Sequence, residues 1–119
     1  MSNSPMVLIN VLKAEPGKRD ALVALLEHNI ETVVRTLAGW RGSRLIASAD
    51  GNSVVIHSEW ESVAAVDAMR SDPRMTVYFP EILKLASIDS TLGVEVFGRY
   101  RSDVSFGLST GDVAMELDA

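Results

Sequence analysis

The chain has 119 residues, enough for one domain with a real core and too few for two. Hydrophobic residues make up 47% and charged residues 23%, which excludes a globally disordered chain. A net charge of -5 without any cluster of Lys or Arg argues against nucleic acid as a partner, and the absence of cysteine excludes disulfides, thiolate nucleophiles and iron–sulfur clusters.

The first residues carry no positive n-region and no long apolar stretch follows, so neither a signal peptide nor a membrane span is expected and the cytoplasm is the expected location. Residues 1–5 read as a disordered N-terminus. Met6 to Leu12 is nearly all apolar and β-branched, broken only by Asn10, and reads as a strand buried on both faces. From Pro16 to Leu37 the apolar residues recur at helical spacing, through Leu22, Leu25, Leu26, Asn29 or Ile30, Val33 and Val34, and Gly39 stops the helix.

Gly42 to Ser48 reads as a second strand, Asp50-Gly51 as a two-residue type I′ hairpin, and Ser53 to Trp60 as a third strand. Glu61-Ser62 opens a short helix bearing Val63, Val66 and Met69. Asp72-Pro73 caps a third helix that runs to about Ala86, kinked or split at Pro80. Thr91 to Tyr100 reads as the fourth strand. The order β-α-β-β-α(α)-β is that of an α+β, ferredoxin-like split βαβ domain over residues 6–100, with an antiparallel sheet and helices on one face. Because the first strand is apolar on both faces and no helix is left over, a second subunit is expected to cover the other face. From Ser102 onward there are four acids and no base. Residues 101–119 read either as an acidic tail or as a dimer arm using Val104 to Phe106 and Val113 to Leu117.

No dinucleotide-type glycine loop, nucleophile elbow or metal-ligand spacing is present, and two histidines are too few for a His-rich metal centre. Asn10 is either a self-satisfied buried amide or a ligand-orienting one. Trp60 shares a strand face with Ile56 and Ser58. It either seals the sheet or walls a flat-ligand pocket with its indole N–H as donor. His57 lies on the opposite face, where an interface role is simpler than a catalytic one, and His28 reads as a solvated helix residue. Tyr78 and Arg74 are either rim and solvent residues or binders of a substrate oxygen and an anionic substrate. Met69, Met75 and Phe79 form a core stripe that also suits an adaptable aromatic pocket.

The run from Ser48 to Ser62 resembles the central hairpin of the antibiotic biosynthesis monooxygenase family. Glu15-Pro16-Gly17-Lys18, Ala38-Gly39-Trp40 and Asp72-Pro73-Arg74-Met75 followed by Tyr78 agree with it in order and spacing. The resemblance spans about residues 6 to 98. It implies a homodimeric α+β barrel and a cofactor-free oxidation, by molecular oxygen as co-substrate, of a small electron-rich aromatic of phenol, quinol or anthrone type. It further implies Asn10 and Trp60 as catalytic residues, with Ser58, Met69, Tyr78 and Arg74 binding substrate and no metal. The sequence departs from the anthrone oxygenases at Ile56, where they carry a second Asn, and at Val66, where they carry Tyr. Haem degraders place a ligating His where Tyr78 stands. Two alternatives follow: a non-catalytic small-molecule-binding or stress-associated dimer of the same fold, and a haem binder using Tyr78.

Overall fold

The apolar run near the start of the chain becomes an interior strand. In the computed structural model, which describes residues 5–101, strand β1 (Met6–Ala14) pairs antiparallel with β3 (Ser53–Trp60) on one side and β4 (Ala86–Gly93) on the other. β2 (Trp40–Ala47) pairs with β3, giving the order β2-β3-β1-β4. This is the expected α+β, ferredoxin-like arrangement. The expectations for residues 1–4 and 102–119 lie outside the described residues.

Strand alternation sorts the side chains onto two faces. Met6, Leu8, Asn10 and Leu12 of β1 stand opposite Trp60, Ser58, Ile56 and Val54 of β3 on the helix-covered face. Val7, Ile9 and Val11 share the outer face with Glu59, His57 and Val55. Helix α1 (Arg19–Thr32) covers the inner face with Leu22, Leu26 and Asn29, and a 3-10 turn (Val34–Thr36) ends it earlier than the expected Leu37. Helix α2 (Val63–Ser71) is capped by the Ser62 hydroxyl, which accepts from the Ala65 N–H, and buries Val66 and Met69. Gly39 has φ 85°, and a Cβ there would lie 2.5 Å from the Ala65 Cβ, so its small size lets α2 close onto the chain before β2.

The expected third helix is two short ones, α3 (Pro73–Thr76) and α4 (Tyr78–Leu83), divided at Val77. Pro80 therefore sits in the first turn of α4, where a missing N–H leaves no helical bond unmade. Two sequence-based boundaries are corrected here. The fourth strand is Ala86–Gly93, not Thr91 to Tyr100. Its outward residues Ser87, Asp89 and Thr91 are polar and exposed because β4 is an edge, so the segment lacks an apolar signature. Residues 94–101 alternate like a strand yet have no ladder partner among the described residues, and Val96 and Phe97 are 91% and 79% exposed. The β2–β3 connection is also longer than a two-residue turn. Ser48 N–H meets Ser53 C=O, and Asp50 Oδ1 accepts from Asn52 N–H and the Ser48 hydroxyl, closing a loop over residues 49–52.

The core forms two adjoining clusters, one around Leu8, Trp60, Val66, Met69 and Met75, the other around Leu12, Leu22, Leu26, Val54 and Ile82. Asn10 stands between Leu8 and Leu12 and so falls at the seam.

Candidate active site

At that seam the sheet and helices line a partly open cavity of about 140 Å³, with a second space of about 60 Å³ beside it. Leu8, Asn10, Asn29, Ile56, Met69 and Met75 line both. Ser58 and Trp60 close the smaller one, while Arg70, Phe79, Ile88 and Ser90 line the larger. The walls are apolar with a few polar atoms, the usual make-up of a small-molecule site.

Each polar atom has a defined posture. Asn10 and Ser90 are cross-strand partners, and the Ser90 hydroxyl donates to Asn10 Oδ1. That turns the amide oxygen toward Ser90 and leaves the Asn10 NH2 without a partner among the described residues. Trp60, 1% exposed, donates its indole N–H to Ser58 Oγ at 3.2 Å, and Ser58 Oγ in turn donates to the Leu8 carbonyl at 3.3 Å. Of the two readings of Trp60, the hydrogen bond favours the sealing one: the hydroxyl two residues back on the same face takes the N–H. The ring is held as a wall.

Asn10, Ser58, Trp60 and Met69 are thus brought together around one space. Tyr78 and Arg74 do not line it. The Tyr78 hydroxyl lies 3.5 Å from Thr32 Oγ1, and its ring packs between the two core clusters, with the His28 ring 6.4 Å away. Arg74 is turned to Asp72, whose two carboxylate oxygens each accept from the guanidinium at 3.1 Å while Oδ1 also accepts the Arg74 backbone N–H at 2.8 Å. These bonds from Arg74 hold the Asp72 carboxyl below its ordinary range and the Arg74 guanidinium above its own. The cation at the cavity is instead Arg70, on α2, with no ion pair among the described residues.

Asn29 and Ser90 lie outside the sequence-predicted set. Asn29 was legible only as a member of the α1 stripe. Its signal is a carboxamide at i+3 from Leu26 and i−4 from Val33, on the buried side of the helix. Ser90 had none, since its strand was placed elsewhere. Among the described residues no cluster of three or more His, Asp or Glu could hold a metal ion, and no helix is long and apolar enough to cross a membrane.

Comparison with known proteins shows the family and the fold. The sequence model described as Antibiotic biosynthesis monooxygenase matches residues 5–80. Over 81 residues the chain is 33% identical to tetracenomycin-F1 monooxygenase of Streptomyces glaucescens, a match covering 66% of this chain and 72% of that one. Among solved structures, Rv0793 of Mycobacterium tuberculosis superposes with a TM-score of 0.72 at 29% identity, over 82% of this chain and 100% of that one. SnoaB, a cofactor-independent oxygenase of Streptomyces nogalater, gives 0.70 at 15% identity over 84% and 98%, and so shares the fold.

Proposed function

Because the chain belongs to the antibiotic biosynthesis monooxygenase family, we propose that its cavity binds a small electron-rich hydroxyarene and inserts one atom of molecular oxygen into it without a cofactor. The observation that carries this reading is the seam cavity, apolar on its walls and fitted with the Asn10 amide, whose orientation Ser90 fixes. SnoaB is a cofactor-independent oxygenase, and the tetracenomycin relative is a monooxygenase.

The roles follow from the postures. The hydroxyarene lies along the Trp60 and Met69 walls, which exclude water. Its oxygen accepts from Asn10 Nδ2. As the hydroxyl ionises, that pre-organised donor meets growing negative charge, the condition under which such bonds accelerate a reaction most. Arg70 favours the anion electrostatically. The anion supplies the electrons that reduce oxygen. For a phenol with a free ring position, one oxygen atom replaces the two hydrogens lost and the other leaves as water, giving a quinone. An apolar cavity of about 150 Å³ accepts benzene, so a space of about 140 Å³ with a smaller one adjoining suits one or two rings. Phenols and quinols fit it better than a three-ring anthrone.

The reading includes a homodimer formed through the outer sheet face, where Val7, Ile9, Val11, Val55 and Ile46 have no covering helix layer among the described residues and Val11 and Ile46 are 38% and 47% exposed. The test is oxygen uptake by the full chain with a panel of phenols, naphthols, quinols and anthrones, with chelator present and no flavin or nicotinamide. Uptake with a one- or two-ring substrate supports the proposal. Tight binding with no uptake across the panel would replace it with the non-catalytic binding dimer.

A further inference from the structure

Asn29 occupies a position that packing alone would give to leucine. It lies on the core face of α1 with Leu22 and Leu26 and is 5% exposed. A carboxamide has two N–H donors and an oxygen with two lone pairs. Among the described residues its side chain makes one bond, Nδ2 to the Met75 sulfur at 3.5 Å, and sulfur is a weak acceptor. Oδ1 has no partner there. A buried polar atom in that condition destabilises the fold unless something arrives to satisfy it. Asn29 lines both parts of the seam cavity, so a ligand in the cavity is within its compass.

The two carboxamides at this cavity are held in opposite senses. Ser90 occupies the Asn10 oxygen and leaves a donor. Met75 takes one Asn29 N–H, which leaves the acceptor oxygen and the second N–H without a partner among the described residues. We infer that Asn29 is a ligand-binding residue that accepts a hydrogen bond from the substrate hydroxyl while Asn10 donates to the same oxygen, so that the site selects a hydroxyarene over an arene, an aryl ether or a quinone. A hydroxyl is donor and acceptor at once and satisfies both amides. An ether or quinone oxygen can only accept, and it leaves the Asn29 oxygen buried opposite another lone pair. Sites built to hydrogen-bond a hydroxyl discriminate strongly against analogues lacking it. The same asymmetry favours release of a quinone product. This inference rests on the proposed function for the ligand's place in the cavity, but it concerns binding rather than oxygenation.

The experiment is anaerobic titration of the full chain with 1-naphthol and 1-methoxynaphthalene, followed by tryptophan fluorescence, in wild type, Asn29→Leu and the smaller Asn29→Ala. Wild type should prefer the naphthol by about tenfold, the loss expected when a buried acceptor loses its donor. Both variants should lose that preference by weakening for naphthol, and Asn29→Leu should melt no lower than wild type. An unchanged preference in the variants overturns the inference and leaves the monooxygenase reading standing. Failure of the wild type to bind naphthol overturns both. The expected binding pattern with no oxygen uptake in air would sink the oxygenase reading and keep this one.

Discussion

Replacing Trp60 with Phe separates the wall from its N–H. Trp60 is 1% exposed, and its indole N–H is held by Ser58 Oγ at 3.2 Å. The substitution removes that bond, worth about 0.5–1.5 kcal/mol. The smaller ring also leaves a void of a few tens of Å³, which at about 24 cal/mol per Å³ costs roughly 1 kcal/mol. The combined loss of about 1.5–2.5 kcal/mol should lower the Tm by roughly 6–20 °C for a domain of this size. Because the N–H is directed to Ser58 and not into the cavity, turnover below the melting range should fall less than about tenfold, whereas losing a true oxyanion donor costs ~10²–10³. Thermal unfolding and oxygen uptake measured on the same preparation check both figures. A folded Trp60→Phe protein with turnover reduced a hundredfold or more would refute the reasoning, since the N–H would then have to reach the substrate.

Other expected outcomes follow from single features. Ile9→Asp places an unpaired charge on the outer sheet face and should halve the sedimenting mass of a dimer; an unchanged dimer would contradict the assigned face. Gly39→Ala combines a φ of 85° with a Cβ at 2.5 Å from Ala65, so its urea midpoint should fall by an amount equivalent to about 2–4 kcal/mol. Bonds from Arg74 depress the Asp72 carboxyl in the folded state. Its contribution to stability is therefore present above the ordinary value of 3.8 and is lost as pH falls through the lower folded value. Asp72→Asn should flatten the acid limb of the stability curve, and an unaltered limb would remove Asp72 from it.

Much of this arrangement is written in local pattern. β1 and the centre of β3 are apolar, β-branched and clearly ended, and their period of two places Asn10, Ser58 and Trp60 on one face from the sequence alone. β4 escaped because an edge strand needs only one apolar face, and here that face is Ala86, Ile88, Ser90 and Leu92, interrupted by a serine. Val94 to Phe97 has the better strand pattern and no pairing neighbour among the described residues. The same error hid Ser90, whose role exists only through its register with Asn10. Arg74 and Arg70 cannot be told apart by composition. Only the helix phase shows that one cation is spent on the Asp72 cap and the other reaches the cavity. The Ser58 partner of the Trp60 N–H is not legible in the sequence, because a side-chain bond two residues back along a strand has no signature beyond the serine itself.

The most direct measurement is turnover of 1-naphthol under ¹⁸O₂ by wild type and Asn10→Ala, with chelator present and product analysed by mass. A hydroxyarene monooxygenase acting through the Asn10 donor predicts one labelled oxygen per quinone in the wild type and a rate lower by ~10²–10³ in the variant. Unlabelled quinone, or an Asn10→Ala protein that turns over at the wild-type rate, would contradict it.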